Sequence, residues 1–323
     1  MADIALEARG LTKVYGEKRA LDSFDMCVRA GDIYGFVGRN GAGKSTLMKV
    51  ATGLADATSG QLSILGDVLG SAEMRHARKA AGWSRVGSLI EAPGVLPNTS
   101  VRDNLMLKAR TVGVRDAGKH CADLIELVGL TDASKKSAKA LSLGMRQRLG
   151  LAMALVGEPD LLLLDEPFNG LDPETTRALR TKLVELNHER GVTIVVSSHV
   201  LGQLTRMATR FGVINAGHMG REFTIEELTE ACENSVHVRT ADSQADLAAL
   251  KQRLPKATFR TEVDGGIVVA GEGAELEDVA RALHDMGAMI YELSPRSCDE
   301  EEFFISAMHA TAEDFEKEGD QDA

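Results

Sequence analysis

The sequence predicts an α/β fold with a mainly parallel sheet, followed by a smaller α+β domain. Over residues 1–224, apolar runs such as IYGFVG, LLLLD and VTIVVSS alternate with helical stretches, which is the pattern of a parallel sheet covered by helices. After residue 224, shorter elements follow in the order βαββαβ, which is typical of a ferredoxin-like sandwich. We therefore expect one domain at 1–224, a second at 225–310 and an acidic, disordered tail at 311–323.

The distribution of charge supports this division. Residues 1–224 carry 29 Lys and Arg against 24 Asp and Glu, whereas residues 225–323 carry 8 against 24. Neither part is a basic surface, so nucleic acid is not an expected partner. No apolar run approaches the roughly 20 residues needed to cross a bilayer, and the N-terminus does not resemble a signal peptide. We expect a cytoplasmic protein without a transmembrane segment, whose membrane role would need a partner.

The first strand-like pieces, IALEARGLTKVY and ALDSFDMCVRAG, predict an antiparallel β subdomain, and IYGFVG then leads into GRNGAGKST. This segment satisfies GxxxxGK[ST] between a strand and a helix, where the pattern predicts a phosphate-binding loop rather than a chance glycine-rich turn. Lys44 would reach the β- and γ-phosphate oxygens, and the Ser45 hydroxyl would bind Mg²⁺. Arg39 contacts a phosphate or faces solvent. The residues expected to bind the nucleotide are Gly38, Arg39, Asn40, Gly41, Ala42, Gly43, Lys44, Ser45 and Thr46.

The second motif, DLLLLDEP, is an apolar strand that ends on Asp165 and Glu166. A buried strand of this kind delivers its last side chains to the carboxyl edge of the sheet, where the phosphate loop also lies. Asp165 would support Mg²⁺ through water, and Glu166 would act as the general base for an attacking water. The alternative is an acidic turn that merely ends the strand.

The decapeptide LSLGMRQRLG places Ser142 at a predicted helix start and Gly144 two residues later, a layout that offers hydroxyl and backbone N–H groups to an anion. With the two motifs above, it resembles the nucleotide-binding subunit of ATP-binding cassette (ABC) transporters over residues 4–222. LSLGM is similar to the LSGGQ signature, His199 in SSH to the switch histidine, Asp172 in NGLD to the D-loop, and Tyr15 in KVYG to the adenine-stacking aromatic residue.

The resemblance implies an ABC cassette of the P-loop NTPase class, with a parallel-sheet core, an antiparallel β subdomain and a helical subdomain at about residues 95–155. It implies hydrolysis of ATP with Mg²⁺. Two cassettes would pair head to tail, so that Ser142 and Gly144 serve the nucleotide on the partner's phosphate loop. The second cassette is expected to be another copy of this chain, and an integral membrane permease would hold the pair at the inner face of the cell membrane.

Departures from the common pattern point to a branch of the family. Leu143 and Met145 replace the usual Gly and Gln of the signature, and Glu91 in LIEAP stands where most cassettes have a glutamine. These features resemble the bacitracin and lantibiotic export or self-protection branch of the ABC-2 exporters. Glu91 would meet Mg²⁺ or, alternatively, is an exposed loop residue. The rival functions are an import ATPase with a regulatory C-terminal domain and a non-transport ABC ATPase acting on ribosomes or DNA.

Overall fold

The computed structural model describes residues 3–70, 85–91, 93–232, 234–262, 265–272, 274–296 and 300–309. The chain divides into two compact units, one of Met1–Ile225 with the chain from Ala307 onward, and one of Glu226–Ser306. The predicted acidic tail lies outside the described residues, and the three-part division into domains stays a prediction. Among the described helices, none is long and apolar enough to cross a membrane.

An antiparallel sheet lies at the start of the first unit. Its strands are β1 (Ile4–Tyr15), β2 (Lys18–Arg29), β4 (Ser59–Ile64) and β5 (Asp67–Gly70). They lie in the order β2-β1-β4-β5, and every neighbouring pair is antiparallel. The alternation of buried and exposed residues along β2 shows that one face of this sheet packs on the core. The predicted antiparallel β subdomain is therefore confirmed.

The central sheet of the first unit has six strands: β3 (Ile33–Val37), β6 (Val86–Leu89), β7 (Leu161–Asp165), β8 (Thr193–Ser198), β9 (Arg210–Asn215) and β10 (His218–Thr224). Their order is β10-β9-β3-β8-β7-β6, and only the β9–β10 pair is antiparallel. Every residue of β3, β7 and β8 is buried, as their continuous apolar sequences predict. The predicted parallel core is confirmed.

Helices connect these strands. They are α1 (Lys44–Ala51), α2 (Val101–Thr111), α3 (Ala117–Leu127), α4 (Leu143–Leu155), α5 (Pro173–Arg190) and α6 (Leu201–Leu204). The helical segment predicted at about residues 95–155 contains α2, α3 and α4. Each of these three begins at a side chain that accepts a hydrogen bond from the backbone of its first turn, namely Ser100, Asp116 and Ser142.

The second unit is built around one antiparallel sheet. Its elements are α7 (Ile225–Ala231), which begins at the boundary, then β11 (Ser235–Thr240), α8 (Ser243–Arg253), β12 (Ala257–Thr261), β13 (Ile267–Gly271), α9 (Leu276–Asp285) and β14 (Ile290–Arg296). The last helix, α10 (Glu300–His309), crosses the second boundary, because the residues from Ala307 belong to the first unit. The strand order is β12-β13-β11-β14. Val236, Ile267 and Leu283 belong to the apolar cluster between sheet and helices. This element order and pairing are those of a ferredoxin-like sheet.

Candidate functional site

The candidate site lies at the carboxyl edge of the central sheet, where three strands end side by side. In the sheet register, Val37 at the end of β3 pairs with Ser198, and Asp165 at the end of β7 pairs with Ser197. The segments that follow these strands therefore start close together. Ligand sites of open α/β sheets form at this edge because the loops after the strands converge there.

The loop between β3 and α1 needs glycine at two positions because the surrounding chain leaves no space for a side chain. A Cβ atom on Gly38 would lie 2.5 Å from the carbonyl oxygen of Ile214, and one on Gly43 would lie 2.7 Å from that of Ala20. Gly43 also has φ = 124°, a backbone conformation that other residues rarely adopt. The loop thus closes tightly over the start of α1, whose N-terminus attracts anions.

Lys44 is buried, with only 6% of its surface exposed, and its ammonium group lies inside the loop. It donates hydrogen bonds to the carbonyl oxygens of Gly38 and Arg39 and lies 4.0 Å from Glu166 Oε1. Burial lowers the pKa of Lys44, and the carboxylates of Glu166 and Asp165 oppose that shift. An ammonium group in this position can donate hydrogen bonds to phosphate oxygens in place of these carbonyl oxygens.

The other predicted loop residues differ in exposure. Arg39, Asn40 and Gly41 are exposed, Ala42 is buried, and Ser45 and Thr46 are half-buried at the start of α1. Tyr15, at the end of β1, is 46% exposed, and Lys13 Nζ lies 4.7 Å from the centroid of its ring. The exposure of Tyr15 leaves it available for stacking against an aromatic base.

Asp165 and Glu166 are held in place by a serine on the neighbouring strand. The Ser197 hydroxyl donates to Asp165 Oδ1 at 2.6 Å and accepts from the backbone N–H of Glu166 at 3.0 Å. Asp165 is 5% exposed, so its carboxylate is fixed in a dry environment. One hydroxyl group therefore orients both acidic residues. The sequence contained a signal for this role, because Ser197 directly precedes SH at the end of an apolar strand.

Glu166 and His199 form a pair across the edge of the sheet. Glu166 Oε2 lies 2.8 Å from His199 Nδ1, and the side chains are 21% and 43% exposed. Glu166 has φ = 49°, a left-handed conformation that is uncommon for residues other than glycine. The pair provides a carboxylate able to accept a proton, next to an imidazole that fixes its direction.

Ser142 and Asp172 are engaged within their own chain. Ser142 Oγ accepts from the backbone N–H of Met145 at 3.2 Å and caps α4. Asp172 accepts from the backbone N–H and the hydroxyl of Thr175 at 2.8 and 2.7 Å and caps α5. These hydrogen bonds, above all the one from the Thr175 backbone, lower the pKa of Asp172. Both residues are exposed, whereas Gly144 is half-buried.

Glu91 pairs with a residue that sequence reasoning missed. Its carboxylate contacts the ammonium group of Lys49 on α1, and its backbone is left-handed, with φ = 57°. Its side chain is 59% exposed. No local pattern in the sequence marks Lys49 as a partner of Glu91, because the two residues are 42 positions apart and meet only in the folded chain. The structure thus connects the helix after the phosphate loop to the segment after β6.

The residues predicted to bind Mg²⁺ fit that ion in part. Ser45 and Asp165 offer a hydroxyl and a carboxylate oxygen, the type of ligand that Mg²⁺ prefers when it also binds water and phosphate. Among the described residues, no group of three or more His, Cys, Asp and Glu side chains is arranged to hold a metal ion. The carboxylate of Glu91, the third residue predicted to bind the ion, is engaged by Lys49.

Comparison with known proteins assigns a family to these features. The family model for ABC transporters matches residues 21–169. The chain is 33% identical over 301 residues to a bacitracin transport ATP-binding protein of Bacillus licheniformis, covering 93% of this chain and 96% of that one. It is 38% identical over 212 residues to a lantibiotic transport ATP-binding protein of Streptococcus pyogenes, covering 66% of this chain and 87% of that one.

A solved structure shares the fold of the first part of the chain. It is a dimeric ATP-binding cassette in a post-hydrolysis state, bound to ADP and Pi. The TM-score is 0.62 with 24% sequence identity, and the match covers 68% of this chain and 98% of that one. The likeness supports the α/β architecture described above.

The tight approach at Gly43 leads to a prediction about stability. Gly43→Ala should lower the free energy of unfolding by about 1–3 kcal/mol more than Gly41→Ala, because the new methyl group meets the Ala20 carbonyl. Gly41 is a matched control, since its φ is also positive (83°) but a Cβ there meets nothing within 4 Å. Urea unfolding followed by circular dichroism measures both. Equal losses in the two variants would contradict the steric account.

Proposed function

This chain belongs to the ABC transporter family as an ATP-binding protein, and we propose that it powers export of a small molecule or peptide of antibiotic type through a separate membrane permease. The chain is an ATPase. The proposal rests mainly on one observation: four side chains lie together at one edge of the sheet, those of Lys44, Asp165, Glu166 and His199. The similarity to a bacitracin transport protein over nearly the full chain supports the branch.

In the proposed reaction, the N–H groups of residues 38–43 and the Lys44 ammonium bind the β- and γ-phosphates. Ser45 and Asp165 would hold Mg²⁺, which would neutralise part of the phosphate charge. Glu166 accepts a proton from the water that attacks the γ-phosphorus, and His199 fixes the direction of that carboxylate. Tyr15 stacks on the adenine. Lys44 and Asp165 are buried, which strengthens their electrostatic contacts relative to water.

We propose that the site is completed by a second copy of this chain. Ser142, Leu143 and Asp172 are exposed, and the N–H groups of Leu143 and Gly144, which precede the capped Met145 N–H, are able to meet an anion. A partner cassette placed head to tail would present Ser142 and Gly144 to the γ-phosphate bound by the first chain. Asp172 would then act at the junction between the two copies.

A groove beside the segment after β6 supports docking of a permease. It has a volume of about 480 Å³ and is lined by Leu96, Met106, Leu107 and the charged side chains Arg102, Asp103 and Arg110. Leu96 and Leu107 are 48% and 53% exposed, whereas Leu89 is buried in the protein's own core. The apolar side chains would receive a short helix of the permease, which would hold the chain at the inner face of the cell membrane.

The rival functions have weaker support. Import would need a solute-binding partner, and the LIEAP and SLGM features resemble the export branch instead. Action on ribosomes or DNA usually joins two cassettes in one chain or inserts a coiled coil. The 16-charge acidic excess of residues 225–323 also disfavours a nucleic-acid surface.

The role of Glu166 as the base gives a prediction. Glu166→Gln removes the proton acceptor but keeps the shape of the side chain. ATP binding should persist while steady-state hydrolysis slows roughly 10²-fold or more. Glu158→Gln is a matched control, because Glu158 also has a left-handed backbone (φ = 54°) but its carboxylate pairs with Arg190.

Measurements on purified protein test the ATPase chemistry, and measurements on cells test the proposed class of substrate. Near-wild-type hydrolysis by the Glu166→Gln protein would remove Glu166 from the mechanism. In the source organism, the same substitution should raise susceptibility to bacitracin or a lantibiotic, and Glu158→Gln should not. Unchanged susceptibility to both, with hydrolysis abolished, would contradict the proposed class of substrate and leave the ATPase chemistry in place.

The Glu91–Lys49 pair gives a second prediction, about coupling. Glu91→Ala should leave ATP binding intact and lower transport per ATP hydrolysed in the reconstituted complex, because α1 loses its connection to the segment that leads to the groove. Lys49→Ala should have the same effect. If only Glu91→Ala uncouples, the carboxylate acts on Mg²⁺ geometry instead. If transport per ATP is unchanged in both variants, neither residue couples the two processes.

A further inference from the structure

Three hydrogen bonds hold the backbone of Glu166, and one of them comes from α4, the helix that Ser142 caps. Glu166 N–H donates to Ser197 Oγ at 3.0 Å, and its carbonyl oxygen accepts from the Asn169 N–H at 3.1 Å. The same carbonyl accepts from Gln147 Nε2 on α4 at 3.4 Å. Gln147 is 8% exposed, and its hydrogen bond to the Glu166 carbonyl is partly buried.

These contacts matter because Glu166 is in an unfavourable conformation. A non-glycine residue with φ = 49° persists only where its surroundings hold it there. The direction of the Glu166 carboxylate, which lies 2.8 Å from His199 Nδ1, depends on these backbone angles. Loss of the Gln147 contact would leave the carbonyl held by the Asn169 N–H alone, so the Glu166 carboxylate would be held less firmly beside its partner.

The helix α4 also contacts the far end of the same segment. A Cβ atom on Gly170 would lie 2.8 Å from Leu143 Cδ2, and one on Gly144 would lie 3.3 Å from Leu171 Cδ2. The first turn of α4 therefore packs on residues 170–171, while Gln147, one turn further, holds residue 166. A shift of α4 along or about its axis would act on both ends of the segment that carries the carboxylate.

We propose that Gln147 is a positioning residue for ATP hydrolysis. Its amide fixes the peptide of Glu166 and thereby connects the signature helix to the carboxylate of the same chain. A nucleotide that engages Ser142 at the start of α4 would thus influence the hydrolytic site of the chain that supplies Ser142, and not only the site of the partner. The inference rests on the proposed role of Glu166 as the base.

Two substitutions at this position test the proposal. Gln147→Met keeps the length of the side chain and removes the donor, so kcat for ATP should fall roughly 3- to 10-fold with an unchanged Kd for ATP, as expected for loss of one partly buried hydrogen bond. Gln147→Glu can donate only when its carboxyl group is protonated. Its kcat relative to wild type should therefore rise as the pH is lowered from about 8 to about 6, because burial raises the pKa of a carboxyl group. The same ratio for Gln147→Met should stay flat.

A control away from α4 separates positioning from stability. Leu62 on β4 is apolar and 0% exposed, so Leu62→Ala should lower the urea midpoint without changing kcat at a temperature where the protein remains folded. Wild-type kcat in Gln147→Met would overturn the proposal. An equal loss of kcat in Leu62→Ala, or a pH-independent ratio for Gln147→Glu, would also overturn it.

Comparing the hydrolysis rates of Glu166→Gln and Gln147→Met distinguishes failure of the proposed base from failure of the proposed positioning role. If Glu166→Gln abolishes hydrolysis while Gln147→Met has wild-type kcat, the proposed base stands and the positioning role is wrong. If Glu166→Gln has near-wild-type hydrolysis, the proposed base is wrong, and with it the positioning role that depends on it.

Discussion

The parallel pairing of β3, β8 and β7 is the constraint on which the rest of the site depends. These strands are buried throughout, and their register ends them side by side. Because each strand is followed at once by a polar segment, one edge of the sheet collects a cation, two carboxylates and an imidazole. The Ser197 hydroxyl then locks the arrangement through its contacts with Asp165 and Glu166. A slip of one residue between β7 and β8 would break both contacts.

A single copy of the chain brings together only some of the residues predicted to form the nucleotide site. Lys44, Glu166 and His199 converge within hydrogen-bonding or ion-pair distances in a single copy. Ser142 and Asp172 instead cap α4 and α5 and remain exposed. This separation explains why the sequence carries two anion-binding motifs a hundred residues apart, if the second serves another copy. The contacts between α4 and the segment after β7 would let one copy respond to what its own signature helix binds.

Much of the fold and part of the site could be predicted from the sequence. Continuous apolar runs identify buried parallel strands, and the glycine pattern before Lys44 specifies both the loop and its chemistry. The pairing of Glu91 with Lys49 and of Gln147 with the Glu166 carbonyl could not be predicted. The first pair is separated by 42 residues along the chain and the second by 19. Both contacts depend on how helices pack against loops rather than on any local sequence pattern. For the same reason, the sequence alone could not show that Leu89 is buried in the core while Leu96 is exposed.

The most direct test of the account mixes two inactive proteins. Glu166→Gln damages the carboxylate of a site, and Ser142→Arg damages the motif proposed to serve the partner. In a head-to-tail dimer of the two variants, both lesions fall in one site and the other site is intact. If Ser142 serves the partner's site, mixing the two proteins restores ATP hydrolysis well above the rate of either alone. Absence of any recovery, with mixed dimers demonstrated by differential tags, would show that Ser142 acts within its own chain and would contradict the account.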